Sequence, residues 1–359
     1  LRKRFDGKGN RRKMKDYRKR TTIRDVAEKA SVSISTVSHV LNDTRFVEEA
    51  TRLRILALIK ELNYRPNQFA RGLRGAGSKT LGLIISDIRE EFFSEITKAV
   101  ESAANRIGYA VILCDSEGVV DKERLYLELL SEKGVEGIIL APVDSNVTPR
   151  LHDGIDFPMV QIDRHCRGAA LDYIGIENAR LASEAVHCLA ALGNRRIGYL
   201  GHEASISTME ERMRGYESAM GELGYYDESL VNMTASRGEG ARRALAAWIA
   251  AKPEIDAILC GNANICLSTL EALDDVTSTR SMALATFDDL ACFRFMENPI
   301  ACVRQPTERM GLAAFDALMS RIRGEAQASP LEILIPAELV LHGARAARTR
   351  AMRMEVADA

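Results

Sequence analysis

From Thr22 onward, apolar residues recur every three or four positions, the period that gathers them on one face of a helix. Thr22 reads as the N-cap of a first helix ending near Ala30, with Ile23, Val26, Ala27 and Ala30 on one face. Ser31-Val32-Ser33 breaks the pattern. A second helix is expected over about Ser35 to Asn42, burying Val37, Val40 and Leu41. A third is expected over about Glu48 to Asn63, with Leu53, Leu56, Ile59 and Leu62 inward. Residues 67–74 (NQFARGLR) are helix-competent but short, marginal in water by themselves, and 75–79 (GAGSK) read as a flexible link.

After Leu81 the pattern changes to short apolar runs at 81–86, 109–114, 137–141, 159–163, 197–200, 257–260 and 283–287. Amphipathic helical stretches separate them, among them 93–107, 121–133, 179–192 and 308–323. Such alternation implies parallel sheets covered on both faces by helices. The stretch is long for one doubly wound sheet, so two similar lobes with a cleft between them are expected. The division predicted is a basic, disordered leader (1–20), an all-α head (21–65), a hinge (66–79), a two-lobed α/β body (80–343) and a C-terminal tail (344–359).

A chain of 359 residues has room for two or three such units. No apolar run approaches the roughly 20 residues that span a bilayer, and the basic start lacks the apolar stretch of a secretory signal. A cytoplasmic protein without a membrane partner is expected. The seven cysteines are scattered without a CxxC pair and the six histidines are dispersed. That spacing predicts no disulfide framework and no metal. No nucleophile elbow or Ser/His/Asp grouping stands out, so no catalytic residues and no cofactor are assigned. Gly75 to Thr80 superficially suggests a phosphate loop but lacks GxxxxGK[ST] spacing and precedes a strand.

The net charge of −1 conceals an asymmetry. Residues 1–79 hold 21 Lys+Arg and 8 Asp+Glu, whereas the remainder holds 28 and 42. Eleven of the basic residues lie in 1–20, where Met14 reads as an alternative first residue. A basic head on an acidic body suits a head that meets a polyanion.

Residues 22–45, TIRDVAEKASVSISTVSHVLNDTR, supply two helices, a three-residue turn and small polar side chains at the start of the second helix. That is the form of a helix-turn-helix, in which short hydrogen-bonding side chains read base edges while an apolar face anchors the helix. Ile34, Ser35, Thr36 and His39 would point outward, and Val37 and Val40 inward. Taken alone, the pattern also fits an ordinary three-helix bundle with a Ser/Thr-rich cap.

The segment resembles the lactose-repressor family of bacterial regulators, whose head reads T-x-x-D-V-A-x-x-A-x-V-S-x-x-T-V-S-x-V-x-N. Thr22, Asp25, Val26, Ala27, Ala30, Val32, Ser33, Thr36, Val37, Ser38, Val40 and Asn42 occupy those positions. His39 and Thr44-Arg45-Phe46-Val47 are closer to the purine- and ribose-repressor branch. The resemblance runs from residue 21 over nearly the whole chain. It implies a sensor body of the type I periplasmic-binding-protein kind and a homodimer on a pseudo-palindromic duplex operator. It further implies that Ser35, Thr36 and His39 contact base edges, with Ile34 beside them and Arg45 on the duplex nearby. Thr22, Ser33 and Asn42 fall on the same DNA-facing side, with Ser33 and Asn42 on phosphates. In the hinge it implies a minor-groove helix carrying Ala70, Arg71, Leu73 and Arg74, with Leu73 as the apolar wedge. Without the resemblance, Leu73 is an incidental apolar residue in a linker.

In the body the resemblance implies an effector site at Phe92, Phe93, Asp163, Arg164, Arg212, Asn262, Asp288 and Gln305, a mixture of ring faces and paired hydrogen-bonding groups that suits a sugar. Each has a plainer reading: Phe92 and Phe93 as core, Asp288 as a helix cap, Gln305 as a loop brace. Asn178 reads as a helix cap. The sequence departs from the family at two places. Ala263 replaces an acidic residue of the pattern G-N-D-x-M-A-x-G, and Glu90-Glu91 stand where the family has Asn-Pro. Arg164 stands where purine-binding relatives place an aromatic residue. The reading is therefore a repressor-type regulator controlled by a small, sugar-like effector. Alternatives are a regulator answering to a non-sugar metabolite or a protein partner, and a cleft enzyme.

Overall fold

The computed structural model describes residues 21–62, 64, 77–147, 157–202, 205–234, 239–276 and 282–343. The chain divides into two compact units, one up to Ser78 and one from Lys79 onward.

The first unit holds three helices, α1 (Ile23–Ala30), α2 (Ile34–Asn42) and α3 (Glu49–Glu61). Thr22 caps α1 in a reciprocal box: Asp25 N–H donates to the Thr22 hydroxyl and the Thr22 N–H to the Asp25 carboxylate at 2.7 Å. Ser31, in the left-handed region at φ 55°, ends α1 and turns the chain. Ser33 then caps α2 by accepting from Thr36 N–H at 3.1 Å. Val26, Ala27, Ala30, Val37, Val40 and Ile55 form the buried core, with Ile59, Leu62 and Tyr64 packed around it.

The inward stripe of α3 differs from the expected one. Ile55 is fully buried, whereas Leu53 and Leu56 are 59% and 42% exposed. Residues spaced by three fall short of a full turn, so a stripe of strict threes drifts by about 60° per step around a helix of roughly 3.6 residues per turn. The set 55, 58, 59 and 62 keeps to one face, and that set meets the core.

The second unit is built on two six-stranded sheets. The first contains β1 (Thr80–Ile85), β2 (Ala110–Asp115), β3 (Gly137–Leu140), β4 (Met159–Ile162), β5 (Asp172–Gly175) and β11 (Glu332–Leu334), in the order β11-β5-β4-β3-β1-β2, all parallel. The second contains β6 (Ile197–His202), β7 (Val231–Thr234), β8 (Ala257–Cys260), β9 (Ala283–Phe287), β10 (Ile300–Arg304) and β12 (Glu338–His342), in the order β12-β10-β9-β8-β6-β7. Among the described strands, only β12 runs antiparallel to its neighbour. Central strands such as β3, β4 and β8 are buried at every position, while β2, at a sheet edge, is partly exposed. Near-continuous apolar runs are what a strand covered on both faces requires.

The helices are α4 (Glu91–Arg106), α5 (Val120–Glu132), α6 (Asn178–Ala191), α7 (Ser207–Glu222), α8 (Glu239–Ala251), α9 (Ala263–Val276) and α10 (Thr307–Ile322). The chain passes between sheets three times. It leaves β5 for α6, which packs on the second sheet; it returns from β10 through Gln305 and Pro306 to α10, which packs on the first; and it crosses again between β11 and β12. Strands β5, β7, β10, β11 and β12 lay outside the apolar runs picked from the sequence, since they are short or interrupted by polar residues.

Helices α6 and α7 pack closely because residue 215 has no side chain: a Cβ there would overlap the Ala179 carbonyl oxygen and press on Ala182. Gly215→Ala is expected to destabilise this unit by about 1–3 kcal/mol, the usual cost of overpacking. Urea melts check it; an unchanged midpoint would contradict the close approach.

Candidate functional site

In the first unit, the outer edge of α2 carries the expected surface. Ser33, Ile34 and Ser35 are exposed, and Thr36 and His39 are half-buried beside fully buried Val37. The Ser33 hydroxyl lies 2.7 Å from that of Ser35 and 2.8 Å from that of Thr36, so the helix start is a connected hydroxyl cluster. His39 Nδ1 lies 2.8 Å from the Thr44 hydroxyl, which fixes the ring plane. Thr22 is exposed and serves as the α1 cap; Arg45 is exposed, and Asn42 ends α2. Phe46, 96% exposed, stands in the α2–α3 loop. Ala70, Arg71, Leu73 and Arg74 lie outside the described residues.

In the second unit, the loops after parallel strands bring Phe92, Asn262, Asp288 and Gln305 to the walls of a cleft between the sheets, whereas Phe93, Asp163, Arg164 and Arg212 are not in its cavity walls. Asp163 follows β4 and Asp288 follows β9, both in left-handed backbone conformations (φ 64° and 73°) that turn their carboxyls off the strand direction. Burial pushes the Asp163 carboxyl above the usual carboxylate range despite Arg164 and Arg212 nearby. Burial likewise pushes Asp288 up to about 6, against the pull of Arg212 and of Gln305. Gln305 Nε2 donates to Asp288 Oδ1 at 2.8 Å, so the crossover segment is tied to the site.

Arg164 Nε lies 3.4 Å from Asp163 Oδ2, and its guanidinium carbon is 5.8 Å from the Phe93 ring centroid. Phe92 and Phe93 sit edge to face at 5.0 Å. Phe92 lines the cleft, whereas Phe93 is fully buried in the core, so the plainer reading applies to Phe93. Asn262 Oδ1 accepts from Ile265 N–H at 2.9 Å, which opens α9, and the residue lines the same cleft.

Arg212 is only 3% exposed. Its Nε donates to Asn178 Oδ1 at 2.8 Å, one terminal nitrogen donates to the Gly261 carbonyl at 2.7 Å, and the guanidinium carbon lies 3.8 Å from the Phe287 ring centroid. Asn178 thus differs from its expected role. Glu177 is the N-cap of α6, and the Asn178 side chain, 1% exposed, holds Arg212 on one side and donates to Glu211 at 3.0 Å on the other. An Asn before a helical run suggests a cap; only the fold reveals that an arginine from the next helix reaches it.

Two cavities occupy the cleft, of about 410 Å³ and about 440 Å³, sharing Glu91, Phe92, Asp288 and Leu290 in their walls. Among the described residues, hydrogen bonds join the lobes. Ser145, Asn146 and His165 bond to Ser205 and Ser207, and Asn264 Nδ2 donates to Glu90 Oε1 at 2.8 Å. Glu90 and Asn264 were not among the expected site residues; the signal was the Glu90-Glu91 departure itself. Burial, opposed by Arg164 and aided by Asp288 and Asp163, pushes the Glu90 carboxyl up to about 7.

Asp289, Cys302 and His342 offer a grouping that could hold a metal ion. The Asp289 carboxylate, however, is shared by Arg304 at 2.5 Å and His342 at 2.7 Å, and burial pushes the Cys302 thiol far up, which opposes thiolate ligation. This cluster ties β12 and β10 to the loop that carries Asp288.

Glu90 and Asp288 hold protons in the folded protein up to about pH 7 and 6, while the unfolded chain releases them near about 4. Folding therefore takes up protons in that window, and their contribution to stability is full below about pH 4 and lost as pH rises toward about 7. Urea melts across this range should show a shallower fall in Glu90→Gln than in the parent; identical slopes would contradict the burial of this carboxyl.

Residues 22–67 match the family described as "Bacterial regulatory proteins, lacI family", and residues 78–343 match "Periplasmic binding proteins and sugar binding domain of LacI family". The HTH-type transcriptional repressor PurR of Photobacterium profundum is 32% identical over 307 residues, covering 84% of this chain and 92% of that protein. The HTH-type transcriptional regulator RegA of Clostridium saccharobutylicum is 30% identical over 319 residues, covering 88% and 96%. Among solved structures, a complex of the transcriptional regulator CelR with cellobiose aligns with a TM-score of 0.67 at 26% identity, over 89% of this chain and 98% of that one. The lac repressor dimer bound to operator and an anti-inducer shares the fold, with a TM-score of 0.76 at 22% identity over 90% and 98%. Two family matches that together run from the first helix to the last strand, and relatives named PurR in keeping with the purine/ribose-repressor branch, lead to one conclusion: the chain belongs to the LacI family of DNA-binding transcriptional regulators and is not an enzyme.

Proposed function

We propose that the protein is a cytoplasmic repressor that binds a pseudo-palindromic operator as a homodimer and releases or tightens its hold when a small, sugar-like effector enters the cleft. The observation that carries the reading is the outer edge of α2: exposed Ile34 and Ser35, with Thr36 and His39 beside them, on a helix anchored by buried Val37 and Val40. A helix of that kind fits the major groove with its N-terminal residues on base edges. In the tautomer in which the Thr44 hydroxyl donates to His39 Nδ1, the Nε2–H is left to donate to a purine N7 or O6. Ser33, Asn42 and Arg45 are assigned to phosphates and the flanking duplex, which set register without reading sequence.

Thr22 is assigned to the same face through its cap. Ala70, Arg71, Leu73 and Arg74 are assigned to a minor-groove helix in the hinge, with Leu73 unstacking a central base step. Phe92, Asp163, Arg164, Arg212, Asn262, Asp288 and Gln305 are assigned to the effector, with Phe93 supporting Arg164 from below. The cellobiose complex of a 26% identical regulator supports a sugar-like occupant.

His39→Ala should weaken binding to the preferred duplex roughly tenfold or more, the worth of a base contact of about 1–3 kcal/mol, while leaving binding to random duplex within about twofold. Fluorescence anisotropy on both duplexes measures it. An equal loss on the two would remove His39 from base reading.

A further inference from the structure

The walls of the first cavity have an excess of negative charge. The first cavity is lined by Glu90, Glu91, Glu271 and Asp288 against Arg89. Arg89 is already committed, donating to both oxygens of Asp87 at 2.8 and 2.7 Å. The cations near these carboxylates, Arg164 and Arg212, are engaged as well. Arg164 lies beside Asp163, and Arg212 is held by Asn178, by the Gly261 carbonyl and by the Phe287 ring. Glu90 and Asp288 are partly buried, and desolvation outweighs the pull of Arg164 and Arg212, so their carboxyls are pushed up to about 7 and 6.

A second observation is independent of charge. Gln305 is only 8% exposed and lines the adjoining cavity, whose walls also hold Glu95, Asp289 and Glu308 with Arg294, Arg304 and Arg309. Its Nε2 is used on Asp288, but its buried Oε1 accepts no hydrogen bond. A buried carbonyl oxygen without a donor is uncommon in folded proteins and marks a place for an N–H or O–H from elsewhere. Gln305 and Asp288 are bonded and line the same cavity, so an N–H-bearing group at Asp288 lies next to the Gln305 amide.

We propose that the ligand of this cleft carries a positively charged nitrogen, held by the Glu90 and Asp288 carboxylates with Gln305 Oε1, on a hydroxyl-bearing framework: an amine-bearing polyol instead of a neutral or acidic sugar. The inference rests on the reading of the cleft as an effector site and narrows the effector's chemistry. Glu90 is the residue that sets the class. Asp87 on its own loop, Asp163 and Arg164 after β4, and Asp288 on the other lobe complete its charged surroundings, and Asn264 bonds to it across the cleft. A cation there replaces the protons with a permanent counter-charge and gains charge-assisted hydrogen bonds.

Isothermal titration calorimetry of the full chain at neutral pH against two matched series is the test: glucose, glucosamine and glucuronate, and sorbitol, 1-amino-1-deoxysorbitol and gluconate. Binding is expected for an aminated member and to exceed that of its neutral and acidic counterparts roughly tenfold or more, the worth of a hydrogen bond to a charged group. Glu90→Gln should abolish that preference and Glu90→Asp retain part of it, each with a cooperative thermal melt. Neutral or acidic members binding as tightly, no aminated member binding, or a preference unchanged in Glu90→Gln would overturn the proposal. Anisotropy on the preferred duplex separates this from the broader reading. A neutral sugar that binds and shifts duplex affinity would sink the cationic ligand alone. An aminated ligand that binds but leaves duplex affinity unmoved would sink the effector reading alone.

Discussion

A buried guanidinium organises the sensor unit. Arg212 has left water almost completely, and a charge in that position is tolerated only when its donors are met and opposite charge is near. Its position imposes demands on three separate segments. Helix α6 must begin with Asn178 pointing back into the molecule, Gly261 just after β8 must present its carbonyl, and β9 must place the Phe287 ring beneath the cation. Gly215, one turn along α7, lets that helix come close enough to α6 for the bond to Asn178 to form. The carboxyls of Asp163 and Asp288 feel the same guanidinium, and Asp288 lines both cavities. Cation, amide and two carboxyls therefore form one arrangement.

The strand–helix alternation, the two-sheet division and the head were legible in the sequence because each rests on periodicity or on a dense local motif. Buried parallel strands such as β1, β3 and β8 must be apolar throughout, so their runs stand out. Edge or late strands such as β7, β11 and β12 carry polar residues and gave no run. The orientation of α3 was misread because a ladder of strict threes winds around the helix, and the true stripe centres on Ile55. Asn178 was misread because capping is a local property, whereas its partner Arg212 comes from a different helix. Glu90 was visible only as a departure from a family pattern; its burial and its bond to Asn264 depend on the second lobe closing over it.

The topology also suggests why a ligand at this place can change the relation of the lobes. The chain crosses between the sheets at three points, and Gln305 lies in one of them while bonded to Asp288. Asn178 opens the helix that follows another. A ligand that engages Asp288 and Gln305 thus touches a segment that must adjust whenever the lobes rotate, and Glu90–Asn264 closes the cleft on the side of the first cavity. Coupling of this kind is reciprocal: whatever factor a ligand applies to duplex affinity, the duplex applies to ligand affinity.

Selection of bound duplexes from a random pool by the full-length protein tests the account most directly. The account predicts enrichment of an inverted repeat, each half read by one copy of α2. Recovery of sequences with no enriched motif, at moderate salt and from pools selected with and without aminated polyols, would contradict it.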